Sequence, residues 1–285
     1  MAFLRHIFAF DSNSPLLFTQ FYFWAFFALV YAVFALIMEV GTEARGERLK
    51  AKGEGLKAES RQRLHLRNVF LMAVSWFFYY KTSGLFLLLL LFVTLSDWLI
   101  AQRIYQAKGE RRKAKVWLAL SVVIDLGLLG YFKYAYFFTN VVNNLLGTEL
   151  AVFDLFAYIG NGFSESGRFM VDKIILPVGI SFYLFQVMSY TIDVYRGHVK
   201  PVKNILDFGF YVSFFPQLVA GPIVRANEFI PQLYKPFRLS RRVFGLAVFW
   251  VLNGLIKKIV LSDYLAVNLI DRVFENPLLF SGFEN

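Results

Sequence analysis

Cysteine is absent from the 285 residues, which excludes disulfide frameworks, cysteine-ligated zinc, iron–sulfur clusters and thiol nucleophiles together. Histidine is scarce. His6, His65 and His198 are the only three; none lies inside an apolar block, and each reads as a solvated or interfacial loop residue. The motifs HExxH, GxSxG, GxxxxGK(S/T) and GxGxxG do not occur, so zincin, hydrolase-elbow and nucleotide-loop chemistry has no support and no metal site is expected. An internal repeat is lacking as well, which weighs against transporters built from inverted halves.

Charge is missing from long stretches. Ser12–Met38, Ile174–Ile192, Phe208–Val224 and Val243–Ile256 hold no Asp, Glu, Lys or Arg. Ser12–Met38 exceeds the roughly 20 apolar residues that a membrane helix needs. A cleavable signal peptide is the rival reading, but the run is longer than a signal core and no A-x-A-like site follows it. What is abundant points the same way: 58% of the residues are apolar and 19% aromatic, with 34 phenylalanines. That is more apolar surface than a soluble core of this length can bury, and it excludes disorder equally. The class is an all-α polytopic membrane protein, a single transmembrane domain over 1–285 with about six crossings.

The net charge of +10 acquires its meaning from position. Gly41–Arg67 carries Arg45, Arg48, Lys50, Lys52, Lys57, Arg61, Arg63 and Arg67 against four glutamates, and Arg103–Lys115 carries six basic residues against Glu110. Arg196–Lys203 and Arg225–Arg242 are basic too, whereas Glu149–Lys173 is acidic on balance. The positive-inside rule makes the basic segments cytoplasmic. Nucleic acid is not an expected partner, because the basic runs lack interleaved stacking aromatics and sit at span ends; the lipid bilayer is.

These assignments define a path. The N-terminus lies outside and the first span enters. Asn68–Ser96, interrupted by Lys81-Thr-Ser-Gly84, leaves and returns as two short helices, since that interruption is turn chemistry. Val116–Phe132, with Asp125 inside it, leaves again and extends to Thr148 as an aromatic-rich interfacial segment. Ile174–Ile192 enters. Phe208–Val224, between two cytoplasmic basic segments, dips in and returns as a re-entrant segment. Val243–Ile256, short for a crossing, exits and leaves Ser262–Asn285 outside.

Two segments carry helix breakers. Pro177 suits the first turn of the helix that follows it. Pro216, Gly221 and Pro222 cannot share one regular helix. Irregular backbone at membrane depth is tolerated where it is buried in protein or lines a wet cavity, so Phe208–Val224 borders an internal channel or else forms an interfacial loop with apolar side chains. At 100° per residue, Tyr183, Gln186, Tyr190 and Asp193 share one narrow arc, with Phe182, Phe185 and Met188 elsewhere. This polar stripe serves interhelical hydrogen bonding, with Asp193 and Arg196 as a solvated pair, or it forms a tunnel wall against a polar substrate. Asp125, ionisable within a span, is a site or pairing candidate by default. Gln217 and Arg225 in the broken segment complete the lining candidates.

Residues 176–198, LPVGISFYLFQVMSYTIDVYRGH, together with FFPQLVAGPIVRA over 214–226 and FIPQLY over 229–234, resemble the membrane-bound O-acyltransferase family. The likeness is to its bacterial branch of alginate O-acetylation and teichoic-acid D-alanylation proteins. The segments SPLLFTQFYFWA (14–25) and NVFLMAVSWFFYYKT (68–82) look like this branch too, so the resemblance covers nearly the whole chain. It implies part of a ring of membrane helices around a tunnel in the bacterial inner membrane. It also implies transfer of an acyl group, usually acetyl, from a cytoplasmic thioester to a hydroxyl of an exported polysaccharide, with a histidine as general base. None of the three histidines matches the family's Trp- and Arg-rich histidine motif, and that residue is expected beyond Asn285. The resemblance further implies acetyl-coenzyme A or an acyl carrier protein as co-substrate, no tightly bound cofactor, and a periplasmic or extracellular acetyl-relay partner. Two function classes stand: such an acyltransferase, represented by its N-terminal part, or a non-catalytic channel or assembly subunit of a polysaccharide modification system.

Overall fold

The computed structural model describes residues 21–48, 53–162, 170–218, 221–235 and 240–275, and all regular structure among them is helical. Three helical stretches are long and apolar enough to cross a membrane: Leu64–Gln106, Arg111–Leu146 and Arg241–Glu275, with a shorter apolar helix at Tyr22–Ile37. The chain divides into two compact units, one of 1–16 with 33–235 and one of 17–32 with 236–285.

In the larger unit, α2 (Gly53–Ser83) ends where Gly84 takes φ 59°, a left-handed conformation that side chains resist. A single tight turn, Gly84–Phe86, leads into α3 (Leu87–Gln106). The break expected at Lys81–Gly84 is therefore present. After a short turn, α4 (Arg111–Leu146) is one 36-residue helix, about 54 Å long at 1.5 Å per residue. The span and its interfacial extension are thus continuous: Lys133 is exposed on α4, where it disturbs nothing, and the stop comes at Gly147 with φ 65°. A short helix, α5, occupies Leu155–Gly162.

Helix α6 spans Ile180–Arg196. Pro177 is not in its first turn, contrary to expectation. The Pro177 carbonyl accepts from Ile180 N at 3.3 Å, and Gly179 at φ 73° turns the chain into the helix. Helices α3, α4 and α6 pack on one another. At one end Ile104, Lys108, Arg111, Val194 and Arg196 come together, which we call the basic end. At the other, Tyr79 donates to Val178 O at 3.1 Å and the Phe86 and Phe132 rings meet at 5.8 Å. It follows that α3 and α6 run parallel and α4 antiparallel to both.

The broken segment folds as a helical hairpin. Asn204 caps α7 (Ile205–Ser213), accepting from Leu206 N at 3.0 Å. The one-turn helix α8 (Phe215–Leu218) takes Pro216 in its first turn, and α9 (Ala226–Leu233) returns with Pro231 inside it. The start is held at the basic end, where Trp98 Nε1 and Gln102 Nε2 both donate to Val202 O at 2.8 Å. The tip is deep: Phe215 N donates to Ser75 Oγ, and its ring meets that of Phe78 at 5.4 Å. The return ends where it began, since Tyr234 OH donates to Asp207 Oδ2 at 2.6 Å. Arg67 fixes this end from α2, with Nη2 donating to Leu233 O at 2.6 Å and Nη1 to Lys235 O at 3.1 Å.

The smaller unit contains residues 21–32 of α1 (Phe21–Arg48), helix α10 (Arg241–Ile256), two wider π turns at Lys257–Asp263 and Ala266–Ile270, and α11 (Asp271–Glu275). Ser240 caps α10 through Val243 N. The helical path does not stop at Ile256 but continues through Ser262 to Glu275. Ser12–Gln20 of the expected first span lies outside the described residues.

Candidate functional site

The polar stripe of α6 faces inward as its spacing requires. Tyr183, Gln186, Tyr190 and Asp193 are buried, while Phe182 and Phe185 on other faces are exposed. Gln186 Nε2 donates to the Tyr211 carbonyl at 2.9 Å, and Gln217 Nε2 from the hairpin tip donates to the same oxygen at 2.9 Å. Tyr190 OH accepts from Val202 N at 2.9 Å, and its ring lies 4.6 Å from Phe208. Tyr211 OH in turn donates to Val224 O at 2.9 Å, tying α7 to the returning arm of the hairpin. The stripe therefore hydrogen-bonds the re-entrant hairpin from inside the bundle. The carbonyl of Tyr211 and its hydroxyl are the residues that spacing did not find, because their partners lie 25 and 13 positions away.

Tyr183 differs from its neighbours on the stripe. Its hydroxyl is buried without a hydrogen-bond partner and its ring stands edge-on to Tyr79 at 6.4 Å. Asp193 does not pair with Arg196. Its carboxylate lies 3.5 Å from His198 Nδ1, because α6 ends in a tight turn at Gly197, φ 80°, that folds His198 back onto Asp193. Arg196 and Arg225 are both exposed. Arg225 sits at the N-terminal boundary of α9. His198 is exposed in the turn after α6, as expected of a loop residue, whereas His65 is exposed but lies within α2 rather than in a loop, and His6 lies outside the described residues.

Asp125 finds a partner that sequence reading missed. Its carboxyl lies beside the carboxyl of Asp97 on α3 and Ser121 one turn earlier on α4. Both aspartates are 0% exposed. A census of protons decides their state. Ser121 Oγ donates to Asp97 Oδ1 at 2.6 Å, and Thr191 Oγ1 on α6 donates to Met188 O at 3.0 Å, so both hydroxyl protons are used. The oxygens of Ser121 and Thr191 lie 3.1 Å apart, completing a polar seam across α3, α4 and α6. Neither Asp125 oxygen meets a donor. A buried carboxylate without a donor, beside a second one, is costly, and this count predicts that Asp125 is the member of the pair that holds a proton. Among the described residues no group of three or more metal-ligating side chains occurs.

At the open end of the hairpin, where it starts and returns, burial and the adjacent Asp207 carboxylate push the Tyr234 hydroxyl above its ordinary range. It stays a donor, and Asp207 stays its acceptor.

Helices of spanning length around a hairpin of broken helix, anchored by buried polar groups, define a multi-pass membrane protein with an internal re-entrant element. No family model matches the chain and no solved structure does. Curated relatives do. The chain is 36% identical over 214 residues to the probable alginate O-acetylase AlgI of Pseudomonas aeruginosa, covering 74% of this chain and 38% of that protein. It is 37% identical over 201 residues to the protein of the same description from Azotobacter vinelandii, covering 70% of this chain and 37% of that one. A peptidoglycan O-acetyltransferase of Helicobacter pylori is 29% identical over 221 residues, covering 68% of this chain and 38% of that protein. The chain belongs to the membrane-bound O-acyltransferase family. It spans less than two-fifths of the length of these relatives.

Proposed function

We propose that this chain belongs to a polysaccharide O-acetyltransferase and holds the side of it that meets the acyl donor. In the reaction, a sugar hydroxyl attacks the carbonyl of an acetyl thioester; the new C–O bond forms, the C–S bond breaks, and the hydroxyl proton leaves with the thiol through a general base. The relatives' names supply the acetyl group and the polysaccharide acceptor. The observation that carries the reading here is the hairpin of α7–α9, held to the bundle by Gln186 of α6 on the Tyr211 carbonyl and braced internally by Gln217 on the same oxygen. Such irregular backbone is stable at membrane depth only where protein encloses it, and it is the element best able to border a passage for a polar thioester. Neither described histidine lies within the bundle, so this part holds and orients rather than removes the proton.

In this reading the basic end is cytoplasmic, by the distribution of Lys and Arg, and the N-terminus is outside. The donor, an acetyl-coenzyme A or an acyl carrier protein, arrives on the basic side, and a periplasmic or extracellular protein relays the acetyl group outward. The test is acetyl content of the exported polysaccharide after gene disruption, then after return of the full-length wild-type protein or its Gly221→Ala variant. Wild type should restore acetylation and Gly221→Ala should not. Polysaccharide that keeps its full acetyl content after disruption would overturn the reading.

A further inference from the structure

At the basic end, the last turn of α3, the first turn of α4 and the last turn of α6 enclose a cleft of about 470 Å³. Its floor is apolar and buried, formed by Ile104, Ala114 and Val194. Its walls are cationic: Lys108, Arg111 and Arg196, with His198 beside them. Lys108 approaches α6 closely, since its Nζ would lie 3.6 Å from a Cβ added at Gly197.

The nearby carboxylates face partners other than these three cations. Glu110 pairs with Lys113 at 2.7 Å, and Asp193 faces His198 at 3.5 Å. No carboxylate meets Lys108, Arg111 or Arg196 among the described residues. Three like charges brought together from the α3–α4 turn, α4 and α6 repel one another, and an arrangement of that kind is stable when an anion sits between them. The positive end of the 36-residue α4 adds to the field, because Glu110 places no side chain over its first N–H groups. The volume falls within the range of small-ligand sites.

We propose that this cleft is a phosphate-binding site, Arg111 and Arg196 gripping the oxygens and Lys108 supplying a point charge. Two sources present that chemistry at this position: the headgroup of an anionic phospholipid in the adjoining leaflet, and the phosphates of a coenzyme A thioester. Only the second rests on the acyltransferase reading. Tyr105 and Tyr195, which border the cleft, are the residue type that settles at headgroup level.

The experiment uses the full chain in nanodiscs of phosphatidylcholine and a variant Lys108→Gln/Arg111→Gln. The control, Arg112→Gln/Lys115→Gln, loses the same charge from the first turns of α4 outside the cleft. One arm replaces part of the lipid with phosphatidylglycerol and counts retained lipid by native mass spectrometry. The other titrates coenzyme A by calorimetry at low and high salt. The cleft variant should bind one of the two probes about tenfold more weakly, with the control within about twofold of wild type. Loss in the lipid arm identifies a headgroup site and loss in the coenzyme A arm a donor site. Equal loss in cleft variant and control, or no binding of either probe, overturns the proposal. If the double variant is not recovered in nanodiscs, Arg196→Gln is read by the same criteria. The lipid arm needs no acetylation, so its result is independent of the acyltransferase reading.

Discussion

Replacing Asp125 with asparagine should leave stability within about 1 kcal/mol of wild type, an unusual tolerance for a fully buried ionisable residue in a span. The reasoning is local. The proton count predicts that Asp125 supplies the proton of the Asp97–Asp125 pair, because Ser121 and Thr191 have already committed theirs. An asparagine amide has the same shape and supplies an N–H to Asp97 in place of the carboxyl proton, so one hydrogen bond replaces another. Asp97→Leu should behave differently. It removes the acceptor of both Ser121 and Asp125, and at about 1–3 kcal/mol for each buried group left unmatched the loss is roughly 2–6 kcal/mol. Thermal unfolding of the detergent-solubilised chain by circular dichroism measures both. Infrared spectroscopy supplies the direct check: wild type should show a protonated-carboxyl stretch that moves in D₂O, and Asp125→Asn should lack it. Stabilisation of several kcal/mol by Asp125→Asn would mean that both carboxylates are ionised. A loss above about 3 kcal/mol would mean that Asp125 has an acidic role that asparagine cannot fill. Either result refutes the proton count.

Gln186→Leu should cost about 1 kcal/mol, because Gln217 still donates to the Tyr211 carbonyl; Gln186→Leu/Gln217→Leu should cost more than the sum, since that oxygen is then buried with no donor. A double-mutant cycle on unfolding checks this, and simple additivity counts against it. Gly221→Ala should lose about 1–3 kcal/mol and unseat the hairpin tip, because the new Cβ would lie 2.4 Å from Gln217 Cα, which is backbone and cannot step aside. Protease nicking between Phe215 and Ala226 reports it. Tyr234→Phe should cost about 1 kcal/mol at neutral pH by removing the donor to Asp207 at this partly exposed site. Since burial, and then Asp207, raise the folded-state value of the hydroxyl, this contribution is complete below the unfolded value near 10 and declines as pH climbs above it. The stability difference between wild type and Tyr234→Phe should therefore be flat from pH 7 to 9 and shrink above about pH 10.

Much of this architecture was legible in the residues. The turn at Lys81–Gly84 could be read because glycine is the residue that accepts φ 59° there. The inward stripe on α6 could be read because 100° per residue places Tyr183, Gln186, Tyr190 and Asp193 on one arc, whatever they touch. The return of Phe208–Val224 followed from charge on both flanks, and the bond from Tyr234 to Asp207 closes that return at one end. What could not be read was pairing. Asp97 passed unnoticed because the uncharged block ends at Ser96, so Asp97 looked like the edge of a span, whereas α3 continues to Gln106. Asp193 was matched to Arg196 by proximity along the helix, but a left-handed Gly197 brings His198 to it instead. Arg67 read as one more charge in a basic run. Its guanidinium is buried against the end of α9, a contact 166 residues distant that no local pattern announces.

The central claim is that residues 205–233 enter the bundle and return to the side from which they came. The absence of native cysteine makes the decisive measurement simple: place single cysteines at Lys203, Lys235 and Thr148, all exposed positions, and label intact cells with an impermeant thiol reagent before and after permeabilisation. Lys203→Cys and Lys235→Cys should both be protected until the membrane is opened, while Thr148→Cys should be labelled from outside. Labelling of Lys203→Cys and Lys235→Cys from opposite sides would show that the segment crosses the membrane, and the account would fail at its centre.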